Sequence, residues 1–532
     1  MRVLRRTLGT LLVLGVLGAS VSCTAAHGDD AKPGGDRPAA LAPYEQLLPA
    51  PAFVRAGGPG YAFGEGTVIR TGRADGDEGD EEVRRVGELL AEQLRGPSGL
   101  PLPVVDGAAG DGVRLRLDEG AAGLGAEGYR LETSASGVTL TARTPAGLFH
   151  AGQTLRQLLP VAGPGTVPGG TVTDAPRFAY RGAMLDIARH FFTVEQVKRY
   201  VDQLAEYKVN TLHLHLTDDQ GWRIAIDGWP RLAEYGGGSE VGGGPGGYWT
   251  KDDYRELVAY AGQRYVDVVP EIDMPGHVNA AQASYAELNC DGKAPDRYTG
   301  IKVGFSSLCV GKERTYEFID DVLGELAELT PGRYLHIGGD EAHSTPAADY
   351  AAFMDRAQQV VARHGKTVVA WHQLASARPA RGAVLQYWGH DRTPAADKAA
   401  VAAAAKAGHQ VILSPADRLY LDMKYDVTTK PGLVWAGYVP VRRSYDWNPG
   451  TYLSGVAESA VLGVEAPLWT ETIATRHDLE FMAFPRVLSL AELGWSPTPR
   501  NWSTYRQRLA SQAPRLNAQH IAYYRAPDVP WQ

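Results

Sequence analysis

Residues 334–343 read YLHIGGDEAH. The run from Tyr334 to Gly339 is short, apolar and closed by glycine, which is the pattern of a fully buried strand. Asp340 and Glu341 follow at once, two carboxylates at the tip of a segment that belongs inside a protein. Buried charge is costly without a partner, so acids placed there imply a use. Successive side chains of a strand point in opposite directions, so adjacent acids at its end diverge. They cannot flank one bond as an ordinary acid and nucleophile pair, and a site that uses both must give them separate targets.

The same grammar recurs on either side. Apolar runs lie at 180–187, 211–217, 266–272, 334–339, 367–372, 383–388, 409–414 and 463–469. Amphipathic helical patterns fall between and after them, at 194–208, 251–263, 313–328, 347–364, 396–407 and 477–494, with a further helix at 501–513. Eight strands, most of them followed by a helix, predict an α/β fold, a (β/α)8 TIM barrel over 173–532 with the last helix packed outside. Chemistry in such barrels sits at the C-terminal ends of the strands. Here those ends carry Asp186 and Arg189, Asp218 and Asp219, Glu271 with Asp273 and His277, Asp340 and Glu341, Trp371 and His372, and Trp388. Tyr420 and Asp422 follow the seventh strand, and Trp469 and Glu471 the eighth. A purely structural barrel has no reason to arm one rim eight times.

Upstream, 41–172 alternates β-forming stretches with Gly and Ser turns and two helical patterns, at 80–95 and 146–159. It predicts a smaller α+β domain with strands in hairpins and no catalytic constellation, in a supporting role. Residues 24–40 have the composition of a disordered tether. Residues 1–23 read as a secretory signal peptide: Arg2, Arg5 and Arg6, a short apolar core from Leu8 to Leu17, then small residues. Cys23 stands where a bacterial lipoprotein signal places its lipidated cysteine, although Ser20 occupies the position where such signals carry Leu. The expected location is therefore secreted or extracellular, with lipid anchoring through Cys23 as a variant. No later stretch has the ~18 apolar residues a membrane span needs.

Beyond Cys23 only Cys290 and Cys309 remain; export favours a disulfide over two buried thiols. Hydrophobic residues at 44% and charged residues at 21% are ordinary for a globular chain, and a net charge of −8 gives no basic footprint for nucleic acid.

Carboxylates among tryptophans suit a sugar. Aromatic faces stack on the C–H faces of pyranose rings, and Asp, Glu and Arg hydrogen-bond hydroxyls. Trp371, Trp388, Trp435 and Trp469 fall near one rim, although buried tryptophan is more often simply core. A metal-dependent barrel hydrolase is an alternative, because His213 and His215 alternate on the second strand with His277 and His336 nearby; alternating histidines in a buried strand are also hydrogen-bonded core. A non-catalytic carbohydrate-binding protein would explain the Trp and Arg residues but not the acids. The glycine-rich stretch 236–248 reads as a long turn or a mobile rim element.

The motifs RGAMLDIARHF, LHLHLTDDQGWRI, VPEIDMPGH, LHIGGDEAH, WHQ and PLWTE together resemble the β-N-acetylhexosaminidases of glycoside hydrolase family 20, of the Streptomyces-like bacterial type. The likeness runs from about Gly128 to the C-terminus. It implies removal of terminal N-acetylglucosamine or N-acetylgalactosamine from amino-sugar glycosides with retention, the substrate's own acetamido oxygen attacking C1; this family departs from the two-carboxylate rule. By the same resemblance Glu341 is the general acid/base and Asp340 holds the acetamido N–H. Tyr420 meets the acetamido oxygen, Trp371, Trp388 and Trp469 wall the acetyl group, and Trp435 lines the sugar site. Arg189, Asp422 and Glu471 take the hydroxyls. Asp218, Asp273 and His277 stand behind Glu341, and Cys290 and Cys309 match a loop disulfide. No metal or organic cofactor is implied.

Overall fold

The computed structural model describes residues 41–73, 80–107, 109–498 and 500–531. The expected signal peptide, tether and Cys23 lie outside them. Eight parallel strands close into a barrel: β1 (Tyr180–Asp186), β2 (Thr211–His215), β3 (Asp267–Glu271), β4 (Tyr334–His336), β5 (Thr367–Trp371), β6 (Val384–Tyr387), β7 (Gln410–Leu413) and β8 (Val461–Leu468). Each falls on one of the apolar runs read from the sequence. Closure comes from β8 pairing back on β1, Tyr180 opposite Gly463 through Leu185 opposite Leu468. Every residue of β1 and β2 is buried, as a parallel sheet with helices outside and side chains inside requires.

The surrounding helices begin at side-chain caps. Thr193 and Gln196 form a capping box for Val194–Glu206, and Thr250 and Asp253 do so for Lys251–Gly262. Two differences from the sequence reading have local causes. The expected strand 334–339 stops at His336, because Gly338 and Gly339 adopt φ of 62° and 99° and leave the sheet. The expected helix 477–494 is two helices, Arg476–Ala483 and Arg486–Trp495, parted at Pro485, which has no N–H to continue the ladder.

The N-terminal part is a seven-stranded sheet. Its order is Phe53–Ala56, Gly170–Asp174, Tyr129–Ser134, Gly137–Ala142, Gly112–Leu117, Ile69–Arg73, Val104–Asp106. Hairpins were expected throughout, but among the described residues of this sheet only Tyr129–Ser134 with Gly137–Ala142 makes a tight one; the last four strands in that order run parallel. The cause is the helix Glu81–Ser98, which carries the chain back between Ile69–Arg73 and Val104–Asp106 as a crossover. Asp174, at the end of this sheet, joins it to the barrel side by accepting from Ala52 N, Tyr129 Oη and Trp495 Nε1. Arg181, at the start of β1, pairs with Glu127. Among the described residues no helix is long and apolar enough to cross a membrane.

Candidate active site

At the C-terminal mouth of the barrel lies a cavity of about 440 Å³. Its reacting edge comes from the turn after β4. A Cβ on Gly338 would sit 1.7 Å from Asp273 Oδ1, and Gly339 N donates to that same oxygen at 3.1 Å. Only glycine lets the chain pass this close, so the pair aims the next two residues into the cavity. Glu341 itself is held at φ 43° and His277 at φ 57°, strained values for side-chain-bearing residues.

Asp340 is 7% exposed, and its Oδ1 has no hydrogen-bond partner among the described residues. His277 stands between the two acids, with Nε2 at 3.9 Å from Asp340 Oδ2 and 3.5 Å from Glu341 Oε2. Burial raises the Asp340 carboxyl to about 6, with His277 pulling against the shift and Glu341 adding to it. Burial also holds Asp273 well above the usual carboxylate range, helped by Asp340. Burial disfavours charge on His277, yet Asp218, Asp273 and Asp340 together keep it protonated.

Behind His277 runs a buried chain of paired groups. Asp218 meets His277 Nδ1 at 3.1 Å, His215 Nε2 at 2.8 Å and Arg189 Nη2 at 2.7 Å. His215 Nδ1 lies 2.5 Å from Glu271, and His213 bridges Glu271 at 3.1 Å and Glu465 at 2.9 Å. Glu271 also accepts from Trp371 Nε1 at 2.8 Å and lies 2.8 Å from His336 Nδ1. Despite burial, these histidines hold Glu271 well below the usual carboxylate range. His213 and His215 rise to about 10 and about 9, the neighbouring carboxylates outweighing burial.

The opposite wall is built on β1, β7 and β8. Asp186 accepts from Ala188 N, Arg189 N and Thr470 N, locking the ends of β1 and β8 together. Arg189 lies over the Trp469 ring at 4.9 Å, and its Nε has no partner among the described residues. Both carboxylate oxygens of Asp422 and Oε2 of Glu471 also lack partners among the described residues. Burial and then Glu471 push Asp422 well above its ordinary range, and burial raises Glu471. Buried polar atoms are normally paired, so this cluster of orphans facing one cavity is suited to a ligand rich in hydroxyls. Trp388, Tyr420, Trp435 and Trp469 supply the aromatic wall, with Trp435 43% exposed at the mouth. Trp371 lies one layer deeper, fully buried, 5.8 Å from the Trp469 ring.

Several residues that shape the site gave no signal as such. Arg223 donates from its buried guanidinium to the carbonyls of Ile187, Ala188, Gly237, Ser239 and Gly247. It thereby pins the glycine-rich stretch 236–248 beside Arg189. Arg486 does the same for Leu421, Met423 and Val439, on either side of Asp422. An arginine within an apolar run, as in GWRIAI and PRVLSL, is the trace each leaves in the sequence. Glu465, inside β8, was likewise passed over. Ile301 and Val303 line the cavity from the loop that the Cys290–Cys309 disulfide closes.

His213, Glu271 and His336 offer ligand atoms within 4.8 Å of one another, whereas the metal alternative read from the sequence rested on His213 and His215 with His277 and His336 nearby. Each of these side chains already meets a neighbour, His213 facing Glu465 and Glu271, and His336 accepting from Gly338 N. These histidines fit the hydrogen-bonded core reading.

Fold and site together define a carbohydrate-active hydrolase of the barrel type. Residues 178–498 match the catalytic domain of Glycosyl hydrolase family 20, and residues 44–175 match domain 2 of the same family. The chain belongs to that family. A Cellulomonas fimi β-N-acetylhexosaminidase is 43% identical, over 92% of this chain and 98% of its own length. Among solved structures, the family 20 β-N-acetylhexosaminidase of Streptomyces coelicolor A3(2) is 61% identical, with a TM-score of 0.89 over 92% of this chain and 99% of that one. A Streptomyces plicatus β-hexosaminidase mutant in complex with product N-acetylglucosamine is 60% identical, with a TM-score of 0.89 over 93% and 99%.

Proposed function

We propose that the chain is a retaining exo-β-N-acetylhexosaminidase that removes terminal, non-reducing N-acetylglucosamine or N-acetylgalactosamine by substrate-assisted catalysis. The observation that carries this reading is the pairing at the end of β4. Asp340 and Glu341 share His277 yet reach the cavity as separate groups, one of them with an unpartnered oxygen.

Glu341 gives a proton to the glycosidic oxygen as the bond to C1 breaks. Asp340, ionised above about pH 6, accepts the acetamido N–H and makes the amide oxygen a better nucleophile toward C1. That oxygen adds to C1 and forms the oxazolinium ion, whose positive charge Asp340 balances. Glu341, now a carboxylate, takes a proton from water as the water adds to C1 and the acetamide is released. Tyr420 Oη donates to the acetamido oxygen. Trp388 and Trp469 confine the acetyl group near attacking distance, a proximity effect, with Trp371 packed behind Trp469 to hold that wall. Arg189 takes the C3 and C4 hydroxyls, and Asp422 and Glu471 take those at C4 and C6; Trp435 stacks at the mouth. Asp218, Asp273 and His277 set the charge behind Glu341.

Chitin oligosaccharides or the amino-sugar ends of other glycans are the proposed natural substrates, and the Cys290–Cys309 bridge supports export to an oxidising compartment. The test is product analysis on chitobiose alongside inhibition by a thiazoline analogue of the intermediate. Release of N-acetylglucosamine with tight thiazoline binding is expected. Activity abolished by a chelator would instead favour metal-dependent hydrolysis, and failure to release 4-nitrophenol from its N-acetylglucosaminide would favour a binding module.

A further inference from the structure

Among the described residues the N-terminal sheet has one face packed under helices and one carrying mostly half-buried or exposed side chains. Along Gly112–Leu117, Val113, Leu115 and Leu117 are buried while Arg114 and Arg116 point the other way. The strand registers place that second set of side chains in two rows. One row runs Arg70, Arg114, Thr139, Glu132, Thr171, Arg55, and the next runs Arg116, Thr141, Arg130, Thr173, Phe53. Arg114 Nε donates to Thr139 Oγ1 at 2.9 Å, which fixes both on this face. Five arginines thus stand against one glutamate, in a chain whose net charge is −8. Among the described residues the one ion pair within these rows joins Arg130 to Glu132 at 2.7 Å. Arg70 and Arg114 spend donors on the carbonyls of Asp111 and Gly110 instead. Solvated protein surfaces intersperse both signs of charge, and this one does not.

We propose that this sheet face binds an acidic polysaccharide and tethers the enzyme to the glycan whose ends the barrel trims. The choice of a glycan rests on the proposed hexosaminidase function; the charge pattern does not. Neighbouring strands are about 4.8 Å apart and alternate residues about 6.6 Å apart along a strand, so Arg70, Arg114 and Arg116 form a tight cationic patch. Guanidinium forks match carboxylate and sulfate groups bidentately, and the threonines between them offer hydroxyls to sugar oxygens. The only aromatic in the two rows is Phe53, at the sheet edge. Single-stranded nucleic acid is held by stacking on aromatic platforms, which the middle of this face lacks, so the glycan is favoured. The sheet joins the barrel near the N-terminal ends of the strands, through Arg181 and Glu127, while the cavity opens at their C-terminal ends. A bound polymer therefore leaves the cavity free, and weak tethering still raises the local concentration of chain ends.

The test uses the full chain and a hyaluronan oligosaccharide with glucuronate at its non-reducing end, which offers the exo site no terminal amino sugar. Affinity electrophoresis should show salt-sensitive retardation. It should be about tenfold weaker in the Arg70→Gln/Arg114→Gln/Arg116→Gln variant, with hydrolysis of 4-nitrophenyl N-acetylglucosaminide unchanged. If that triple variant loses hydrolysis through misfolding, Arg116→Glu alone should weaken retardation and Arg116→Lys should keep it. No retardation of the wild type at low salt, equal retardation of wild type and variants, or tighter binding of single-stranded DNA of equal charge would each overturn the proposal. Retardation in a protein that releases no nitrophenol would leave the acidic-glycan surface standing and sink the hexosaminidase reading instead.

Discussion

Glu271 ends β3 and Asp340 lies in the turn after neighbouring β4, and both are buried carboxylates. Glu271 is surrounded by His213, His215, His336 and the Trp371 indole, and it is held ionised far below the usual range. Asp340 keeps an oxygen without a partner and sits at about 6. The same contrast separates Glu465 from Asp422. A carboxylate saturated with donors holds the fold together, whereas a buried one left short of donors is poised for a ligand that brings them.

The comparison breaks most easily at the rim. Glu341→Gln should lower kcat/KM on chitobiose on the order of 10³–10⁴-fold, with sugar binding and thermal stability retained, as steady-state kinetics and product titration would show. Asp340→Ala should cost on the order of 10²–10³-fold on N-acetylated substrates. An equal loss on a substrate without the acetamido group would contradict substrate assistance. The interior should respond in the other currency: Glu271→Gln leaves buried imidazolium short of its counter-charge and should cost about 3 kcal/mol in chemical denaturation.

Titration sharpens the same contrast with smaller effects. The folded values of His213 and His215 lie above the ordinary histidine value, so their contribution to stability is fully present below about 6.5 and is lost as pH rises through about 9 to 10. Tm should fall over that interval, and less so in a Glu271→Gln background. Asp340 runs the opposite way. Its folded value is above the ordinary one, so its ionisation burdens the fold above about pH 6, and that burden disappears as pH falls toward about 4. Over this acid range kcat/KM should fall, while the stability advantage of Asp340→Asn over wild type, read by paired melts, should shrink.

Much of this was legible in the sequence because barrel strands advertise themselves as apolar runs and barrel chemistry clusters at their ends. All eight strands fell where the runs lie, and Arg189, Asp340, Glu341, Trp388, Tyr420, Asp422, Trp435, Trp469 and Glu471 line one cavity. What was not legible depends on partners far away in sequence. Nothing near Glu465 announces that it will meet His213, and an arginine in an apolar run does not say which carbonyls Arg223 and Arg486 will bring together. The early end of β4 was missed for another reason: two glycines are compatible with a strand, and only the position of Asp273 shows why they turn out of it.

Arg486 also sets an order of events. By residue 471 a growing chain already carries both acids, the aromatic wall and the hydroxyl contacts. The backbone on either side of Asp422 is nevertheless fastened by an arginine that comes 15 residues later, on a helix packed outside the barrel. Synthesis therefore delivers every reactive group before the residue that fastens the backbone around one of them, Asp422.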